Sequence, residues 1–345
     1  MSLYLGILLF SFIITSLVIV PFIDILYRLQ LTYQTPLPPS SELESKDFSQ
    51  IINQQKWKIG TPIGGGILII MTVSVLFAIL FPILIRFGVY VTSVFPLKEE
   101  LNILFFTFIA FGLLGLFEDI QKIFRLSRED FKRFIAMYKT PLLVVLSLLT
   151  SMMLYTNLRM SIINIPYFGI LRLGWMYVPL AGTVIFTFTR SFDITDGLDG
   201  LSGGVLLVCL IAFWALSLSS LDTSLSVFIA LWIGALIAFL YFNVYPARIW
   251  LGNAGSLSFG ATLAVTALIL GKTFALFFIG GVFLLDGLSN LVQFLSVRFF
   301  SRRILSVTPL HYWLQSRGWP EPKVVMRAWI VSIMLALIGL WLSPP

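Results

Sequence analysis

Three aspartates recur at every third position in the stretch Arg-Ser-Phe-Asp-Ile-Thr-Asp-Gly-Leu-Asp-Gly-Leu, residues 190 to 201. If that stretch is helical, Asp193, Asp196 and Asp199 form one acidic stripe. Like charges so placed repel, and a divalent cation or a shared proton relieves them. The two Asp-Gly pairs also fit turns at a helix end, although turns alone would not need a third aspartate in register. A second acidic pair, Glu118 and Asp119, directly ends the apolar run Phe105 to Phe117. Ionisable groups at that depth are costly enough to make function the first hypothesis.

Complementary chemistry stands elsewhere in the chain. Lys58 opens a glycine-rich helix entrance that runs to Gly66, where phosphate oxygens could meet backbone N–H groups and the positive end of a helix. Gly60 and Gly64 equally satisfy the small-xxx-small pattern by which membrane helices pack. The stretch Asn243 to Ser256 joins two apolar runs with polar groups and an aromatic, Trp250, able to stack on a base, as many membrane loops could. The single histidine, His311, lies in the last cytoplasmic loop, and a lone histidine is usually a surface or packing residue, so its loop alone does not make it catalytic. Asp286 falls inside an apolar run, with Asn290 and Gln293 at i+4 and i+7. Such a polar seam either lines a groove or holds helices together.

The elements that must position these groups are membrane helices. Of 345 residues, 58% are hydrophobic and only 11% charged, and the mean hydropathy is +0.97, which excludes a water-soluble globular domain. One cysteine, Cys209, in an apolar run rules out a disulfide framework and a cysteine metal site. A spanning helix needs roughly 20 apolar residues because its backbone must satisfy itself inside the bilayer. Ten such segments lie near residues 3–27, 63–93, 101–117, 140–156, 174–189, 201–219, 224–242, 256–271, 274–296 and 325–343. The first is too long, and lacks the basic start, for a cleaved signal peptide.

Alternate loops hold eighteen of the twenty-three Lys and Arg residues and eleven of the sixteen acids. Short cytoplasmic loops collect the bases, so both termini are predicted outside, with the loops near 28–62, 118–139, 190–200, 243–255 and 297–324 facing the cytoplasm. The formal charge of +7 then reflects topology rather than nucleic-acid binding, for which no reading motif exists. Residues 36–55, rich in Pro, Ser and Glu, read as a mobile segment of the first cytoplasmic loop. There is no internal repeat, and residues 1–345 are expected to form one all-α polytopic membrane domain.

Taken in order, these fragments resemble the polyprenyl-phosphate N-acetylhexosamine-1-phosphate transferases of glycosyltransferase family 4, and specifically their phospho-N-acetylmuramoyl-pentapeptide transferase branch. The resemblance spans about Lys58 to Leu340. It is carried by Thr195-Asp196-Gly197-Leu198-Asp199-Gly200-Leu201, by Phe242-Asn243 to Gly255-Ser256-Leu257, and by Gly318-Trp319-Pro320-Glu321-Pro322-Lys323-Val324 with Arg327. It implies a ten-helix fold in the inner membrane with the site facing the cytoplasm. The implied reaction is attack of undecaprenyl phosphate on UDP-N-acetylmuramoyl-pentapeptide, releasing UMP and yielding a lipid-linked cell-wall precursor. Mg2+ is the implied cofactor, bridging two phosphates that otherwise repel; membrane lipid is a partner, nucleic acid is not, and a homodimer is left open. Residue by residue, the resemblance implies catalytic roles for Glu118, Asp119, Asp196, Asp199 and His311. Substrate contacts fall to Lys58, Lys122, Gly197, Leu198, Asn243, Trp250 and Gln293.

The sequence departs from the family pattern at informative places. Family members usually carry Asp at the position of Asn253 and Asn at that of Asp193, so two residues have exchanged and the carboxylate count is kept. The metal set expected here is therefore Asp193, Asp196 and Asn253, with Asp193 supplying the charge. Glu118 replaces the first of two paired aspartates, and Tyr312 and Trp313 replace the second and third histidines of a His-His-His motif. Two other readings stand beside this one: a sibling transferase for another UDP-N-acetylhexosamine, and an inactive scaffold or transporter on the same fold. Asp119, Asp193, Asp196, Asp199 and Asn253 are expected within one ion's reach of each other and of Lys58 or Lys122, with the Asp286 seam running toward the same cleft.

Overall fold

A computed structural model describes residues 2–32, 58–123, 129–166 and 169–343, as backbone alone at 122, 123 and 129–137. The segment read as mobile, 36–55, lies outside the described residues, as does the side chain of Lys122. Among the described residues there are twelve α-helices: α1 Ser2–Arg28, α2 Gly65–Arg86, α3 Leu97–Ile123, α4 Glu129–Asn157, α5 Tyr177–Thr195, α6 Leu201–Ser219, α7 Thr223–Asn243, α8 Gly252–Ile269, α9 Thr273–Ile279, α10 Gly281–Phe300, α11 Leu310–Ser316 and α12 Glu321–Trp341. Among the described residues, nine helices are long and apolar enough to cross a membrane. The tenth expected span is α5, whose last turns hold Arg190 and Asp193 and lower its hydropathy.

Burial sorts the helices into a centre and a lipid-facing rim. Every residue of α8 from Ala254 to Ile269 is buried, in contact with α2, α3 and α5. In lipid there is no water to expel between helices, so close contact and interhelical hydrogen bonds must hold them. Small residues supply the closeness: Gly66 of α2 lies against the backbone of Gly255, leaving no room for a Cβ. The hydroxyl of Ser11 on α1 donates to the Leu231 carbonyl of α7 at 2.7 Å, while Leu5, Leu9, Ile13 and Leu17 face outward. Phe108, Phe228, Trp232 and Phe259 meet edge-on or stacked and lock α3, α7 and α8 together.

Three features depart from the expected segments. The run 274–296 is two helices, α9 and α10, broken at Gly280, where a Cβ would come 2.5 Å from the Phe188 ring. An antiparallel hairpin, Ile162–Ile165 with Gly169–Arg172, links α4 to α5 at the end remote from their charged residues. The acidic stretch is helical only to Thr195, because Gly197 and Gly200, the latter at φ 77°, turn the chain into α6. The three aspartates therefore do not form one stripe.

The alternation of loops predicted from charge requires the ends of α1, α3, α5, α7 and α10 and the starts of the helices after them to share one side. They do: backbone hydrogen bonds and ion pairs join Leu31 to Ile63, Glu118 to Lys139, Asp199 to Glu321 and Gln293 to Leu305. At the opposite end, Ser224 on α7 donates to buried Glu100 on α3 at 2.9 Å.

Candidate active site

The first cluster gathers where α3, α4, α5 and α8 meet. Asp119, buried at the end of α3, accepts the backbone N–H of Asn253 at 2.9 Å on Oδ1 and that of Ala254 at 2.9 Å on Oδ2. One helix thus caps another, satisfying N–H groups that α8 cannot pair within itself and placing a negative charge at its positive end. Gly252, at φ 78°, admits this approach, since a Cβ there would come 2.7 Å from Asp119 Oδ2. Glu118 Oε2 accepts from Lys139 Nζ at 2.8 Å and from the Asn253 side-chain amide. Lys139 also reaches Asp193 Oδ2 at 3.1 Å, as does Arg190, while Ser256 donates to Asp193 Oδ1 at 3.2 Å. Three carboxylates here face two cations.

The remaining Glu118 oxygen, Oε1, is buried without a hydrogen-bond partner among the described residues. Such an atom is costly unless something meets it. Among the described residues no three His, Cys, Asp or Glu side chains form a ready cage for a metal. Mg2+ does not need one: it keeps several waters and binds through one or two carboxylates plus substrate phosphates. An orphaned carboxylate oxygen beside the Asn253 amide, in a cluster with net negative charge, fits that ion.

The second cluster is built for rigidity. Lys58 is buried and bridges Asp199 Oδ1 at 2.9 Å and Glu321 Oε1 at 2.5 Å, tying the entrance of α2 to the α5–α6 turn and the head of α12. The backbone N–H of Asp199 donates to Glu321 at 2.7 Å, and Asp199 Oδ2 accepts from Ala247 N at 3.1 Å. Asn243 spends its amide on Gly200 N and Ile249 O, bracing the same turn. Leu198, within that turn, is buried. Asp196 accepts from the Ser202 hydroxyl.

The third cluster joins α10 to α11. Asp286 Oδ2 lies 2.6 Å from His311 Nδ1, and Asp286 Oδ1 accepts the His311 backbone N–H at 3.2 Å. The polar seam on α10 holds the loop that follows it: Gln293 Oε1 accepts from Ile304 and Leu305, and Ser296 donates to the Arg302 carbonyl at 2.7 Å. The Tyr312 hydroxyl donates to the Gly197 carbonyl at 3.3 Å. The stretch Asp193 to Asp199 therefore runs through all three clusters, Asp193 in the first, Gly197 touching the third and Asp199 in the second.

The expected site residues fall into separate clusters. Asp193, Asp196 and Asp199 point to three different partners rather than one ion, because the chain leaves the helix after Thr195. Lys58, Asn243 and Gln293 are engaged with the protein as braces. At the glycine-rich entrance packing wins: Gly64 and Gly65 donate to the Trp250 carbonyl and Gly66 to the Leu251 carbonyl, so those N–H groups meet protein rather than phosphate. The half-buried Trp250 is held there by its own backbone. The residues missed were Lys139, Arg190, Ser256 and the bridging role of Glu321. Lys139 had a signal, a lone base heading an apolar run as Glu118 and Asp119 end one.

Gly115 on α3 sits against the Asn253 carbonyl, where a Cβ would overlap the backbone. Gly115→Ala is expected to push the start of α8 away from Glu118 and Asp119, at about 1–3 kcal/mol of overpacking. Its melting temperature in detergent should fall modestly and its turnover much further.

A model of the family described as Glycosyl transferase family 4 matches residues 101–271. Curated relatives span most of the chain. A Phospho-N-acetylmuramoyl-pentapeptide-transferase of Acetivibrio thermocellus is 30% identical, covering 82% of this chain and 81% of that protein. Proteins of the same name from Clostridium novyi and Thermodesulfovibrio yellowstonii are 33% and 34% identical, each over 82% of this chain and over 83% and 80% of their own lengths.

Proposed function

Because the chain belongs to the phospho-N-acetylmuramoyl-pentapeptide transferase family, within glycosyl transferase family 4, we propose that it transfers phospho-N-acetylmuramoyl-pentapeptide from its UDP-activated form to undecaprenyl phosphate, releasing UMP. It is a multi-pass membrane enzyme. The side bearing the three clusters faces the cytoplasm of the inner membrane in this reading, since it is the side on which Lys and Arg accumulate.

The observation that carries the reading is the buried, unpartnered Oε1 of Glu118 in a cluster of three carboxylates and two cations. In phosphoryl transfer the protein has little covalent chemistry to do; it must bring two anions together and stabilise the leaving one. A Mg2+ ion held by Glu118, with Asn253 beside it, would neutralise charge on the donor diphosphate. Lys139 fixes the distance between Glu118 and Asp193. Asp119 locks the backbone of the first turn of α8, and Glu118 holds the Asn253 side-chain amide.

Detergent-purified protein given both substrates and Mg2+ is expected to release UMP, to stop on chelation, and to ignore UDP-N-acetylglucosamine. Absence of metal-dependent UMP release and of labelled-UMP exchange into the donor would sink the reading. The exchange of Asn and Asp gives a sharper test. Asn253→Asp adds a ligand charge beside Glu118 and should lower the Mg2+ concentration for half-maximal rate on the order of tenfold, as ligand charge tunes affinity for hard cations. Asp193→Asn frees Lys139 to neutralise Glu118 alone and should reduce UMP release; full activity would show that Asp193 carries none of the site's charge.

A further inference from the structure

Asp286 is a buried acid inside a membrane helix, and neither metal binding nor the braces around Lys58 involve it. Such a group is costly to keep and needs a partner. Its partner is the only histidine in the chain. One carboxylate grips His311 at two points, the ring Nδ1 at 2.6 Å and the backbone N–H at 3.2 Å, so both the ring's orientation and the start of α11 are set by a single side chain. A carboxylate at Nδ1 selects the ring form that carries its proton there. The other nitrogen, Nε2, is buried and has no hydrogen-bond partner among the described residues. It faces the α-carbon of Gly197, where a Cβ would come 2.7 Å from Nε2 and 3.0 Å from the Tyr312 hydroxyl. Gly197 is thus the residue that lets the imidazole pack this closely against the turn that carries Asp196 and Asp199.

We propose that Asp286 is a positioning residue for the reaction: it clamps His311 so that the lone pair of Nε2 is held over the Asp196-Gly197-Leu198 turn to accept a hydrogen bond from a protonated oxygen of the bound phosphate substrate. This rests on the phosphotransferase reading. Asparagine at 286 offers one acceptor and one donor, so it satisfies only one of the two N–H groups that Asp286 holds. Glutamate keeps both acceptors on a longer arm.

The test pairs a spectroscopic readout with a double-mutant cycle. Selective 15N-histidine labelling yields one imidazole; Nδ1 should be the protonated nitrogen in the unsubstituted protein, and Asp286→Asn should shift both ring signals. In UMP-release assays, Asp286→Asn should lower kcat about a hundredfold with KM for the UDP-sugar changed less than about threefold, and Asp286→Glu should recover most of that loss. In a His311→Gln background, Asp286→Asn should cost nothing further, as expected for residues acting as a unit. An equal loss in both backgrounds, or ring signals unmoved by Asp286→Asn, would overturn the proposal. Because the ring signals need no turnover, failure of the clamp is distinct from an enzyme that shows no UMP release at all.

Discussion

Lys58→Met is expected to destabilise the fold by about 3–5 kcal/mol, because removing one partner of a buried ion pair leaves the others charged and unpaired. Here the loss is double: Asp199 and Glu321 both face Lys58 Nζ, at 2.9 and 2.5 Å, with side chains only 3% and 7% exposed. The substitution should lower the melting temperature of the detergent-solubilised protein sharply and abolish UMP release. The triple variant Lys58→Met, Asp199→Asn, Glu321→Gln removes the charge conflict and should regain most of the stability. It should not regain activity, since Asp199 also orders the loop at Ala247. Recovery of neither, or an unchanged melting temperature for Lys58→Met alone, would mean that the triad does not hold these three segments together.

Asp119→Asn is expected to lower UMP release by about two to three orders of magnitude while leaving a folded protein. A charged acceptor facing two backbone N–H groups contributes about 1.5–3 kcal/mol per bond, and an amide turns one acceptor into a donor aimed at another donor. The damage should be local. Gly252 to Ser256 should exchange amide hydrogens faster, and the half-saturating Mg2+ concentration should rise because Asn253 moves relative to Glu118. A variant with normal turnover and unchanged exchange at Asn253 and Ala254 would remove Asp119 from the site. Of the paired acids, Asp119 thus acts through α8, whereas Glu118 presents the open oxygen.

Much of the architecture was legible because membrane solvation leaves few choices. Apolar length sets the spans, and the bias of Lys and Arg sets which helix ends share a side. The acids that gather in the clusters were also visible, since Glu118, Asp119 and Asp286 interrupt or end runs that tolerate no idle charge. Lys139 was harder to see, because its role depends on two acids 21 and 54 residues away in the chain. The break at Gly280 was hidden too, as nothing local marks it apart from a Gly-Gly pair; the Phe188 ring packed against it comes from another helix.

What the chain's order of residues determined by itself is that it crosses the membrane about ten times and carries most of its ionisable groups on one side. That follows from transfer energies, which depend on each residue's own chemistry. Which acid meets which base was decided only in three dimensions. The three-residue spacing of Asp193, Asp196 and Asp199 suggested one stripe, yet the turn at Gly197 and Gly200 sends them to Lys139, Ser202 and Lys58. Electrostatic partners are set by distance in space, and at helix ends a single glycine turn redirects a side chain further than any periodicity can foretell.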